Sequence, residues 1–222
     1  MALSLPIHPR ETALLVIDMQ NAFCHPKGGL AQAGIDIRMT EAVVPRVKQL
    51  VQLCRESWIP VIWTRQEHYP DDITRKKHRI PSHLTKAKVR AAEKGTWDSE
   101  IHEDLLEEMR PEDHMVLKHR MSCFFDSTLE TKLRMLGVTT IIICGVTTNV
   151  CVESTIRDAY FRDYDIYVIE DCVGAAYEDL HRATLKNVEL YFGQVLTLEH
   201  LASLLEEVTG AQKGARGRKV RL

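Results

Sequence analysis

The feature that narrows the fold most is a set of short, uninterrupted apolar runs, each followed by a helical pattern. Ala13-Leu14-Leu15-Val16-Ile17 ends in Asp18, and Thr139-Thr140-Ile141-Ile142-Ile143-Cys144 runs into Gly145. Neither run alternates polar with apolar residues. A strand that is apolar on both faces must be covered on both, which is the situation of a strand inside a parallel sheet. Further strand patterns are Pro60–Thr64, His114–Lys118, Asp165–Glu170 and Gly193–Thr197. Helical spacing fills the intervals at Val43–Ser57, Trp97–Met109, Ser127–Leu136 (stopped by Gly137), Val150–Arg162, Asp179–Tyr191 and Glu199–Val208. Gly28-Gly29 and Gly34 read as a loop. Strands alternating with helices predict an α/β fold, a three-layer α/β/α sandwich around a parallel sheet. Ligands of such sheets bind beyond the carboxyl ends of the strands, near the switch in strand order.

Reactive side chains fall at three of those ends. Asp18 closes the first strand, Lys118 closes the third, and Cys151 follows the fourth within Gly145-Val146-Thr147-Thr148-Asn149-Val150-Cys151-Val152-Glu153-Ser154. Cys151 stands where a strand turns into a helix, with Asn149 placed to cap that helix. Free N–H groups and the helix dipole there favour a thiolate. A thiol, an acid and a lysine form a workable nucleophile set. Cys151 attacks a carbonyl, Asp18 takes the thiol proton and later activates water, and Lys118 holds positive charge between them. Each residue also has an ordinary reading as a buried thiol, a loop acid or a strand-end lysine. Their coincidence at strand ends is what points to chemistry.

Composition bounds the rest. A chain of 222 residues with 45% hydrophobic content fits one domain with a full core, here residues 1–210. A net charge of −2 gives no reason to expect nucleic acid as a partner. No apolar run reaches membrane-spanning length and the first residues lack a signal pattern, so a cytoplasmic protein without a membrane partner is expected. The six cysteines contain no C-x-x-C pair, which argues against a zinc ribbon or a disulfide framework. Cys54, Cys144 and Cys172 lie in core patterns. Residues 65–96 are charged, contain Pro70, Pro81 and the basic run Arg75-Lys76-Lys77-His78-Arg79, and read as a lid-like insert. Residues 211–222, basic and rich in Gly, are expected to form a disordered tail.

Asp18-Met19-Gln20-x-x-Phe23, Lys118 with Ser122-x-Phe124-Phe125, and Gly145-Val146-Thr147-Thr148-Asn149-Val150-Cys151-Val152 together resemble the isochorismatase-like cysteine hydrolases. The resemblance runs from Thr12 to Val208. It implies a six-stranded sheet in the order 3-2-1-4-5-6 and a triad of Cys151, Asp18 and Lys118. It also implies a cis Val146–Thr147 peptide that turns the Thr147 and Cys151 N–H groups toward one point as an oxyanion hole. Nicotinamidases of this family carry an Asp-x-His-Pro metal site after the second strand. The matching stretch here is Glu67-His68-Tyr69-Pro70, so no metal and no cofactor are expected. Isochorismatases that cleave a vinyl ether usually carry Gly at the Cys position, which Cys151 argues against.

The run Lys118–Ser127 is closer to the ureido and carbamoyl amidohydrolases. The resemblance therefore implies hydrolysis of an amide, ureido or carbamoyl C–N bond of a small molecule through a covalent intermediate on Cys151. The alternatives are a vinyl-ether hydrolase, a nicotinamidase-like amidase and a catalytically silent binding protein. Substrate contacts are assigned to Gln20, Phe23, Arg65, Glu67, Tyr69, Trp97 and Phe124. Arg65 could clamp a substrate carboxylate in two hydrogen bonds, or instead pair with Glu67 or Asp71 and shape the loop. One of Phe124 and Phe125 is expected in the core. A homodimer or homotetramer is expected, from the resemblance and from apolar residues after Cys151 and around Tyr177.

Overall fold

A computed structural model describes residues 7–69 and 90–218, with side chains as far as residue 208. Its strands are β1 Thr12–Ile17, β2 Val61–Gln66, β3 His114–Lys118, β4 Thr140–Val146, β5 Asp165–Gly174 and β6 Gln194–Leu196. They form one all-parallel sheet in the order β3-β2-β1-β4-β5-β6. The order reverses between β1 and β4, so the switch point lies beyond Ile17 and Val146.

The sheet is covered as its sequence requires. Leu14 and Val16 of β1 face one layer, where α1 Val44–Glu56 buries Val47, Leu50, Val51 and Cys54. Ala13, Leu15 and Ile17 face the other, built from α2 Leu129–Met135, α3 Glu153–Tyr160 and α4 Glu178–Asn187. The closing helix α5 Leu198–Arg218 returns to the first layer through Leu201 and Leu205. Every residue of β1 is buried, and each fully buried Leu or Val contributes about 1.5–3 kcal/mol. Cys54, Cys144 and Cys172 are in this core, as expected. Gly137, at φ 68°, ends the last turn after α2. No helix among the described residues is long and apolar enough to cross a membrane.

Four local expectations are corrected. Trp97–Met109 is not one helix: Trp97–Ser99 and Glu103–Leu106 are single turns, and Ile101 bridges antiparallel to Gln20. The backbone groups a helix would use are already taken. Glu100 O accepts from Asn21 N at 3.0 Å, and His102 N donates to Met19 O at 2.9 Å. Gly28-Gly29 opens a helical turn, Gly29–Gln32, rather than a plain loop. The helix expected from Asp179 to Tyr191 is α4 followed by a π-type turn, Val188–Phe192. The helix expected to close at Val208 continues as α5 to Arg218. Its Ala, Gln, Lys and Arg residues are good helix formers, and interior glycines costing about 1 kcal/mol each do not stop it. Residues 70–89, with the basic run of the expected lid, and residues 219–222 lie outside the described residues.

Gly145 sets how closely β4 approaches β1. It pairs with Ile17, has φ 110°, and a Cβ there would stand 2.1 Å from the Ile17 carbonyl oxygen. Only glycine permits that approach and that backbone. The approach brings Asp18 beside the turn that carries Cys151. Gly145→Ala is expected to destabilise the fold by roughly 3 kcal/mol or more. Thermal unfolding checks this, and an unchanged Tm would mean the two strands can part at no cost.

Candidate active site

Asp18 leaves β1 at φ 51°, a left-handed backbone that Asp tolerates better than most residues. Its N–H donates to Thr64 Oγ1 at 3.1 Å, and the Thr64 hydroxyl donates back to Asp18 Oδ1 at 2.7 Å. Asp18 Oδ2 stands 2.6 Å from Lys118 Nζ, and both side chains are fully buried. The ammonium also donates to Gln66 Oε1 at 2.7 Å and to the Arg120 carbonyl at 3.0 Å. Its three protons thus have three acceptors. Burial opposes the charge on Lys118, but the Asp18 carboxylate beside it outweighs burial, so its pKa is raised and it stays an ammonium.

Gln66 is fixed from behind. Gln20 Nε2 donates to the Gln66 carbonyl at 2.9 Å and to the Ser99 carbonyl at 2.7 Å, while Gln66 N donates to Gln20 Oε1 at 2.8 Å. Gln20, expected to touch substrate, is therefore buried structural support for the end of β2. Its amide satisfies backbone groups where two strands part, which the position of Gln20 after Asp18 alone does not reveal.

Cys151 lies in a π-type turn, Thr148–Val152, and the Val146–Thr147 peptide before it is cis, as the resemblance implied. Thr147, not Asn149, occupies the cap position, and no side chain caps the turn. Val150 N and Val152 N donate to the Thr147 carbonyl at 3.0 and 3.3 Å. The thiolate expected from the helix dipole is also corrected. Burial pushes the Cys151 pKa up, Lys118 pulls it down, and the nearby Asp18 carboxylate pushes it up again. The net shift is upward, which favours a resting thiol.

A cavity of about 290 Å³ opens over Cys151. Phe23, Thr147 and Cys151 line it as expected, and so do Gln66, His68, His119, Arg120, Asn149 and Tyr177, to which the sequence assigned no contact. Gln20 and five other expected substrate contacts do not line it. Arg65 donates to Glu67 and to Glu100, each at 2.7 Å, so it pairs locally rather than standing ready as a clamp. Glu67 also faces Lys94 at 3.9 Å, and Lys94 lies 4.9 Å from the Tyr69 ring centroid. Trp97 packs edge-on to His25 outside the cavity. Phe124 is the core member of its pair, 5.9 Å from Tyr164, and Phe125 is exposed. What the missed residues share is a place at or just after a strand end flanking the switch point. Gln66 could have been found that way, since it pairs in register with Lys118. Among the described residues, no group of His, Cys, Asp or Glu is arranged to hold a metal ion.

This arrangement of parallel sheet, paired Asp and Lys, and a Cys on the turn after β4 defines a cysteine hydrolase scaffold. The isochorismatase domain family matches residues 12–200, and the chain belongs to that family. A ureidoacrylate amidohydrolase, RutB, of Methylobacterium radiotolerans is 36% identical over 95% of this chain and 86% of its own length. The crystal structure of a cysteine hydrolase from Pseudomonas syringae pv. phaseolicola superposes with a TM-score of 0.79 at 30% identity, covering 91% of this chain and 96% of that one. An N-carbamoylsarcosine amidase from Thermoplasma acidophilum has a TM-score of 0.69 at 27% identity, covering 84% of this chain and 95% of that one.

Asp18→Asn separates two effects at this site. It leaves Lys118 buried without its counter-charge, which costs roughly 3–5 kcal/mol. It also removes the carboxylate that raises the Cys151 pKa while Lys118 still lowers it. The variant should melt at a lower temperature, yet its Cys151 should react faster than wild type with iodoacetamide at neutral pH. Slower alkylation in the variant would contradict this account of the thiol.

Proposed function

We propose that the chain is a cysteine amidohydrolase that cleaves the C–N bond of a small ureido or carbamoyl compound through an acyl-enzyme on Cys151. The observation that carries this reading is the buried Asp18–Lys118 pair with Cys151 on the turn beside it, under one cavity. The names of the relatives support the bond type, since both the ureidoacrylate amidohydrolase and the carbamoylsarcosine amidase act on such compounds.

Asp18 takes the thiol proton as Cys151 Sγ attacks the carbonyl carbon. The developing oxyanion is held by the N–H groups of Thr147 and Cys151. The tetrahedral adduct collapses, the C–N bond breaks, and the leaving nitrogen takes the proton from Asp18. The acyl group remains on sulfur, as a thiocarbamate where the carbonyl was ureido. Water then attacks that carbonyl with Asp18 as base, and Cys151 recovers its proton on release. Lys118 stays an ammonium throughout and keeps Asp18 from carrying an uncompensated charge in a dry site. A vinyl-ether hydrolysis gives a thiol beside a buried carboxylate–lysine pair no part to play.

The working unit in this reading is a homo-oligomer. Tyr160, Phe161, Leu190 and Tyr191 are exposed, and the rings of Tyr160 and Tyr191 lie 5.4 and 6.2 Å from that of Phe192. A patch of that kind is what a second copy covers. The six free cysteines fit a reducing, cytoplasmic compartment.

Cys151→Ala should lower ammonia release from ureido and carbamoyl substrates by roughly a thousandfold or more while leaving the fold intact. Lys118→Ala and Asp18→Asn should fall nearly as far, because residues acting as one unit are not additive. Comparable turnover by Cys151→Ala would overturn the assignment.

A further inference from the structure

The turn that carries Cys151 is gripped at both ends by α4. Thr147, at its cap position, gives it no side-chain bond, and Thr148 opens it with no exposure to solvent. The Thr148 hydroxyl lies 2.9 Å from Nδ1 of His181, a half-buried residue in the first turn of α4. At the other end stands Glu153, whose backbone N–H donates to the Thr148 and Val150 carbonyls. Glu153 Oε2 accepts from Thr184 Oγ1 at 2.7 Å, on the same helix three residues beyond His181.

The two bonds differ in what they fix. Arg157 Nη2 also donates to Glu153, to Oε1 at 2.6 Å, so Glu153 keeps a holder when Thr184 is lost. Thr148 stands one peptide from Thr147, whose carbonyl accepts from Val150 N at 3.0 Å and from Val152 N at 3.3 Å. Holding Thr148 fixes the plane of that carbonyl, and with it the two N–H groups on either side of Cys151. The N–H groups of Thr147 and Cys151 are those assigned above to the oxyanion, and such donors are worth most when they need no reorganisation during the reaction. The imidazole suits this task. Burial lowers the His181 pKa, and Arg182 adds to burial while Glu178 and Glu170 oppose it, so the ring is neutral near pH 7. A neutral ring bonds the hydroxyl in either tautomer, because bare Nδ1 accepts and Nδ1–H donates. The ring's own backbone is anchored too: His181 N donates to the carbonyl of Tyr177, a residue of the cavity wall, at 3.0 Å.

We propose that His181 is a positioning residue for the reaction at Cys151. It stands outside the described wall of the cavity and acts through Thr148, holding the turn that presents the Thr147 and Cys151 N–H groups to the oxyanion. This rests on the amidohydrolase reading above and adds to it a residue on a helix that carries none of the reacting groups.

Kinetics of full-length variants on ureidoacrylate, or on N-carbamoylsarcosine where wild type prefers it, provide the test. His181→Ala and Thr148→Val should each lower kcat about tenfold or more and leave KM within about threefold, because the binding wall stays while alignment in the transition state is lost. The double variant should be no slower than the slower single variant, since both changes break the same bond. His181→Asn, whose amide reaches the position of Nδ1, should recover most of kcat. An unchanged kcat in His181→Ala, losses that multiply in the double variant, a rise in KM alone, or no recovery with Asn overturns the proposal and leaves the amidohydrolase reading in place. Should Thr148→Val not fold, the contrast between His181→Ala and His181→Asn decides. Failure of wild type to release ammonia from any ureido or carbamoyl compound overturns the amidohydrolase reading instead, and hydrogen exchange then decides whether His181 holds the turn. The Val150 and Val152 amides should exchange about tenfold faster in His181→Ala than in wild type, with no further gain on adding Thr148→Val. Equal exchange in wild type and His181→Ala overturns the proposal.

Discussion

Two opposite charges held 2.6 Å apart with no exposure to solvent are the constraint on which the site depends. Neither could be buried alone, because the cost of stripping water from a single carboxylate or ammonium is several kcal/mol. Together they are tolerated because Thr64, Gln66 and the Arg120 carbonyl satisfy what they leave over. That requirement fixes the ends of β1, β2 and β3 relative to one another. Gln20 ties the end of β2 to the loop after β1, and Gly145 lets β4 close on Ile17 from the other side. The pair is thus a structural clamp on four strand ends and, in the proposed reaction, the base for the thiol beside it.

The fold was legible in the sequence because parallel strands announce themselves. Unbroken apolar runs such as Leu14–Ile17 and Ile141–Cys144 have no other economical use in a chain of this length, and glycine marks the stops. The strand order and the cis peptide came through resemblance to a family rather than through periodicity. The interval between Trp97 and Met109 was misread for a physical reason. Helical spacing there is real, but Asn21, Met19 and Gln20 reach across and take the backbone partners that a helix would need. A contact between residues some eighty positions apart leaves no trace in a local pattern.

The site was legible in part. Asp18, Lys118 and Cys151 could be picked out since strand ends converge in this architecture. Their electrostatics could not be. A helix start argues for a thiolate, whereas burial and the nearby Asp18 carboxylate argue for a thiol, and that balance depends on the three-dimensional arrangement. The substrate wall was misassigned for a related reason. Arg65, Glu67 and Tyr69 follow β2 in sequence, yet their side chains engage one another, Glu100 and Lys94. Residues beside Lys118 and Cys151, among them His119, Arg120 and Asn149, line the cavity in their place. Nearness to a strand end located the region, but which side chains turn inward depended on partners elsewhere in the chain.

A buried, protonated thiol beside the Asp18–Lys118 pair fits the proposed mechanism, in which the nucleophile is made only as it attacks. The resting enzyme is then spared from alkylation and oxidation, which require the thiolate. A covalent intermediate is the consequence that distinguishes this account from one in which Asp18 simply activates water. The most direct measurement is mass spectrometry of enzyme quenched by acid during turnover of a ureido substrate and digested to peptides. The account predicts an acyl adduct on the peptide bearing Cys151, absent before substrate is added and cleared when it is exhausted. Sustained turnover with Cys151 unmodified at every quench time, and the solvent oxygen entering product in a single step, would contradict it.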